Sequence, residues 1–157
     1  MRILKNLNTQ EIKKYLANRY PYLLIDAATE IEVGVRAKGY KNLTANEWFF
    51  PVHFPEEPIM PGMLQMEALL QMLSLTVLTM DGNAQKSVRG RSGTQIKLKK
   101  RVVPGDRLDI EATLTSFENN IAVGEAKGFV GAEEVCSGKF VFTVVNAAEY
   151  KESLNET

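Results

Sequence analysis

The strongest pattern along the chain is a long apolar run that begins near Met63 and ends at Met80, where Asp81-Gly82-Asn83 stops it. Its one charge is Glu67. Such a run, opened by Pro61 at a first-turn position, predicts a helix that is buried on most of its sides. The polar residues Gln65, Gln71, Ser74, Thr76 and Thr79 and the lack of basic flanks argue against a membrane span.

Either side of this helix the period changes from helical to alternating. Asn8 with Glu11 forms a capping box and predicts a short helix over 9–17. Apolar Tyr22 to Ile25 opens a strand reaching about Val33, Gly34 turns the chain, and Val35 to Leu43 is a second strand. After the long helix, strands are predicted over 87–100, 106–116, 121–130 and 135–145. Leu108, Ile110, Ala112 and Leu114 alternate on one face of the second of these, and Asn119-Asn120 and Gly131-Ala132-Glu133 are the turns between them. Two strands, one long helix and then a run of strands define an α+β fold with a largely antiparallel sheet. The simplest way to cover the helix is to wrap the sheet around it, leaving the second side of the assembly for another subunit. No linker or repeat divides the 157 residues, so one domain spanning 1–157 is expected.

Composition narrows the function. Lys plus Arg and Asp plus Glu both number 19, which gives no electrostatic reason to expect nucleic acid or a membrane surface. One cysteine and one histidine exclude an internal disulfide and make no structural zinc site. Residues 1–6 lack the apolar core of a secretory signal, so a cytoplasmic location is expected.

The candidate chemistry lies just before and within the long helix. The single histidine, His53, sits in a segment from Pro51 to Pro61 that holds four of the six prolines. A stiff backbone limits the entropy lost in positioning a catalytic side chain. Imidazole has an unperturbed pKa of about 6.5 and can act as a base near neutral pH. Glu67 stands among Met63, Leu64, Met66 and Leu70, and burial there would raise its pKa and suit it to act as an acid. Gly62 opens the helix, where N–H groups lack partners and the dipole is positive, so it could hold an enolate-like oxygen. Taken singly, each residue has a plain structural role: a surface imidazole, a solvated glutamate, a helix start. Together they suit removal of a proton at one carbon and protonation of a leaving hydroxyl at the next.

The run His53-Phe54-Pro55, Pro58-Ile59-Met60-Pro61-Gly62 and Glu67-Ala68-Leu69-Leu70-Gln71 resembles the (3R)-hydroxyacyl-acyl carrier protein dehydratases of type II fatty acid synthesis, which have the hot-dog fold. Arg19-Tyr20-Pro21 through Asp26 and Val102-Val103-Pro104-Gly105-Asp106 match more weakly, and the likeness extends from about residue 12 to 146. The resemblance implies that His53 removes the α-proton of a β-hydroxyacyl thioester and that Glu67 protonates, or positions water for, the departing hydroxyl. Gly62 would offer its N–H to the thioester carbonyl, and Gln71 would orient the site. It also implies that the two catalytic groups come from different subunits, in a dimer or a trimer of dimers. The acyl chain would then enter an interfacial tunnel lined by Phe54, Met63 and Met66. No metal or cofactor is needed. The partner would be acyl carrier protein, which is acidic, and Arg89, Arg91, Lys97, Lys99, Lys100 and Arg101 are candidates for docking it.

Glutamate at position 67 resembles the general dehydratases; the branch that also isomerises the double bond usually carries aspartate. Asn18 and Val52 depart from the family, which usually has histidine and, in its common branch, glycine there. These departures bear on substrate range and point toward a specialised lipid, such as an aryl polyene or polyketide. Two other functions compete with dehydration: a hot-dog acyl thioesterase, and a non-catalytic acyl-binding partner subunit.

Overall fold

A computed structural model describes residues 1–155. In chain order the elements are β1 (Ile3–Leu7), α1 (Thr9–Ile12), β2 (Ala27–Glu32), β3 (Arg36–Asn42), α2 (Gly62–Leu78), β4 (Ser87–Leu98), β5 (Arg107–Glu118), β6 (Ile121–Val130), β7 (Glu133–Val145) and α3 (Ala147–Asn155). A short 3-10 turn at Phe50–Val52 precedes His53. The strands form one antiparallel sheet in the order β1-β2-β3-β5-β6-β7-β4. This is the α+β arrangement expected, with α2 packed on β2, β3, β5, β6 and β7.

Small residues let helix and sheet come together. The inner face of β6 carries Ala122, Gly124, Ala126 and Gly128, all buried. A Cβ on Gly124 would lie 2.7 Å from the Leu73 side chain and 2.6 Å from the Thr113 carbonyl, so only glycine fits beneath the helix at that point. Leu108, Ile110 and Ala112 of β5 bury the same face, as their alternation predicts, while Leu114 is only partly covered.

Four elements differ from the sequence expectation. The helix predicted over 9–17 is a single turn, capped where the Asn8 Oδ1 accepts from Glu11 N at 3.0 Å, and gives way to turns after Ile12. The strand expected from Tyr22 starts only at Ala27. Buried Gln71 explains the delay: it accepts from Leu24 N at 2.8 Å and donates to the Tyr22 carbonyl at 2.7 Å, so these backbone groups bond to α2 in place of a strand neighbour. β1 was not expected; one buried residue, Leu7, is too little to make a strand pattern. α3 was also missed, although Asn146 and Glu149 form a reciprocal capping box at its start.

β4 stands apart from the other long strands. It is a sheet edge, and every residue from Arg89 to Leu98 is exposed. A long open edge with the exposed apolar side chains Ile96 and Leu98 is a surface suited to pairing. Among the described residues no helix is long and apolar enough to cross a membrane.

Candidate active site

The loop that carries His53 is tied down at both ends. Buried Lys41 of β3 donates to Glu47 Oε1 at 2.8 Å and lies 3.6 Å from Asp26, so its charge is paired within the interior. Trp48 donates from Nε1 to the Pro21 carbonyl at 3.2 Å, and Met60 N donates to the Val102 carbonyl at 2.7 Å. Between these anchors, Ile59 N donates to the His53 carbonyl at 2.9 Å.

His53 itself is half-buried, its ring stacked on Phe54 with centroids 4.4 Å apart. Nδ1 lies 3.2 Å from the Ile59 carbonyl oxygen. A carbonyl can only accept, so Nδ1 carries a proton, and the neutral imidazole then has its lone pair on Nε2. That is the tautomer a general base requires.

Glu67 is half-buried on the N-terminal half of α2. Burial raises its pKa above the ordinary value of 4.5, and a hydrogen bond from Gln71 Nε2 to Oε1 at 3.1 Å partly offsets the rise. Gln71 holds Glu67, Tyr22 and Leu24 at once. Gly62 is the first residue of α2, where an N–H has no partner in the helix. A Cβ there would collide with Leu98, so glycine is what lets the Leu98 side chain pack against the start of α2.

Glu67 and Gln71 open onto a cavity of about 300 Å³ between α2 and the start of β4. Leu70, Ser74 and Leu78 continue the same helix face, following the three- and four-residue spacing of neighbours on a helix. Asn18, Lys86, Ser87, Val88 and Arg89 close the other sides. His53 does not line this cavity, so one chain does not bring base and acid to the same wall. Phe54, Met63 and Met66, expected along a tunnel, are not among its lining residues either. Phe54 and Met63 are 54% and 84% exposed, and Met66 packs partly against the core. The helix period held the signal for Ser74 and Leu78; the presence of Lys86 and Arg89 depends on how β4 lies against α2.

The basic candidates are mostly engaged. Lys99 pairs with Glu134, Lys100 with Glu133 and Arg101 with Glu57. Lys97 and Lys99 share a shallow depression with Lys127 and Lys139 on the sheet surface. Cys136 is buried, and its thiol is pushed up to about 12, chiefly by burial, so it offers no nucleophile at neutral pH.

The fold places the protein among hot-dog proteins. Its structure aligns with the dehydratase heterocomplex ApeI:P from Xenorhabdus doucetiae at a TM-score of 0.78 and 14% identity, over 92% of this chain and 97% of that one. A hot-dog-like protein from Thermanaerovibrio acidaminovorans aligns at 0.61 and 18% identity, over 80% and 92%. Sequence narrows the class: residues 16–139 match the FabA-like domain family, and the chain belongs to it. It is 45% identical over 139 residues to the 3-hydroxyacyl-[acyl-carrier-protein] dehydratase FabZ of Clostridioides difficile (strain 630), covering 88% of this chain and 98% of that protein. The FabZ of Bacillus velezensis (strain DSM 23117 / BGSC 10A6 / LMG 26770 / FZB42) is 42% identical over 138 residues, covering 88% and 98%.

Proposed function

We propose that the protein dehydrates a (3R)-3-hydroxyacyl thioester on acyl carrier protein to the trans-2-enoyl thioester, in fatty acid or related lipid synthesis, with residues 1–157 forming a single hot-dog dehydratase domain. The observation that carries this reading is Glu67: a half-buried carboxyl with a raised pKa, steadied by Gln71 at the wall of a cavity. His53 Nε2 takes the α-proton. The Gly62 N–H supports the enolate-like thioester oxygen. Glu67 gives its proton to the β-hydroxyl, the C–O bond breaks, water leaves and the double bond forms. The proton on His53 then returns to Glu67 by way of solvent, which resets the site.

His53 reaches Glu67 from a second copy of the chain, paired across the open β4 edge. Exposed Phe54, Met63 and Leu98 are covered in that contact, and Phe54, Met63 and Met66 line the approach for the acyl thioester. The carrier protein docks on the basic end of β4 at Lys97, Lys99, Lys100 and Arg101. Because three of these already pair with acids, added salt raises KM only modestly.

Mass spectrometry of a 3-hydroxyacyl carrier protein, following loss of water, tests the reading. His53→Ala and Glu67→Ala each lower turnover about 10²- to 10⁴-fold. Mixing the two inactive variants and allowing subunits to exchange restores about a quarter of wild-type activity, because half of the dimers are mixed and each has one intact site. Near-normal turnover by either variant overturns the catalytic roles, and no recovery on mixing overturns the shared site.

A further inference from the structure

The cavity beside Glu67 continues past the carboxyl and ends among cations, which a plain hydrocarbon chain cannot use. β4 runs in the opposite direction to the N-terminal half of α2. Two close approaches mark the alignment: a Cβ on Gly62 would meet Leu98, and one on Gly90 would lie 3.9 Å from Leu70. The start of β4 therefore stands beside the C-terminal part of α2, and Lys86 and Arg89 line the same cavity as Ser74 and Leu78.

The dehydratase reading sets the direction of the substrate, and the inference rests on it. With the thioester carbonyl at Gly62 and the β-carbon at Glu67, the acyl chain extends along α2 toward Ser74. At about 1.5 Å of rise per residue, Ser74 lies about 10 Å beyond Glu67. Lys86 there is half-buried and makes no ion pair among the described residues. The Arg89 guanidinium lies 4.2 Å from the centroid of the Tyr150 ring on α3, a contact that steadies the cation without neutralising it. Asn18 belongs to the same lining, and among the described residues the one acid lining the cavity is Glu67. A hydrocarbon end would press against half-buried Lys86 and offer neither cation a counter-charge.

We propose that the acyl chain accepted here ends in a carboxylate, which Lys86 and Arg89 bind at the far end of the cavity, with Asn18 as a further donor. The other source of negative charge is the phosphate of the carrier arm. It lies on the thioester side of the reacting carbons, away from these cations.

Calorimetric titration of the full-length protein with saturated N-acetylcysteamine thioesters separates these sources, because the compounds carry no phosphate and no hydroxyl to eliminate. Two thioesters of matched length are compared, one ending in methyl and one in carboxylate. The carboxylate form binds about tenfold more tightly, the difference that one charge-assisted hydrogen bond makes. The preference collapses in Lys86→Met and in Arg89→Gln, each checked for an unchanged melting temperature. Equal binding of the two thioesters by wild type overturns the proposal, as does a preference that survives both substitutions. In the second arm the thioesters are carried on phosphopantetheine. If the substitutions weaken both chain ends equally there and neither on N-acetylcysteamine, the cations serve the phosphate and the proposal falls. A carboxylate preference that persists while the 3-hydroxy forms lose no water supports the anion site and removes the dehydratase reading.

Discussion

The two halves of α2 are alike in apolar content and opposite in surroundings. From Gln71 to Thr79 every residue is buried by the chain's own sheet. From Gly62 to Leu70 only Gln65, Ala68 and Leu69 are, and Met63 is almost fully exposed. One half spends its apolar surface on the core. The other leaves apolar surface open around Glu67, next to an uncovered strand edge. A helix of uniform composition can thus serve stability at one end and chemistry at the other, according to what lies across from it.

That division can be broken most sharply at Glu67. Glu67→Ala removes turnover, by the margin given above, while the melting temperature moves little, since a half-buried carboxyl adds little packing. A large fall in melting temperature would mean that the open half also holds the fold. At the other end Leu73→Ala reverses the pattern. Leu73 is fully buried against β6, and its truncation costs about 3 kcal/mol in urea unfolding, with specific activity per folded molecule retained.

Gln71 lies at the border and should show both effects. Gln71→Ala leaves Leu24 N and the Tyr22 carbonyl without their partner and costs about 2 kcal/mol. It also removes the hydrogen bond that lowers the Glu67 pKa, so the alkaline limb of the pH–rate profile moves to higher pH.

The smallest effect is Glu67→Gln on stability. Burial lifts the folded-state pKa of Glu67 above 4.5, so the folded chain holds this proton more tightly than the unfolded chain. The associated stability is present below pH 4.5 and is lost as pH rises through the folded value. The glutamine variant escapes that loss. Its melting temperature should match wild type in acid and exceed it slightly above the folded pKa. A gain confined to acid would contradict the burial of this carboxyl.

Much of the fold is legible because period is a local property. β6 runs over Ile121–Val130 as its turn signals predict, and β5 and β7 fall within two residues of expectation. Where tertiary bonds override local preference, the reading fails. Tyr22 to Ile25 has strand composition, yet a side chain from a helix about fifty residues away captures its backbone. α3 is different, because its start carries a local signal, the Asn146–Glu149 capping box.

The sequence by itself determined the residue types, their stiff loop and helical settings, and the change of period from strand to helix to strand. His53, Gly62 and Glu67 could be picked out on those grounds, and Gln71 by resemblance to the family. Only the tertiary structure decided that the Ile59 carbonyl holds the proton on His53 Nδ1, that Gln71 clamps Glu67 to the 22–24 segment, and that Lys86 and Arg89 come to lie beside Ser74. Each of these is a contact between separate segments of chain. Its geometry follows from how helix, strand and loop pack together, and no local periodicity encodes that.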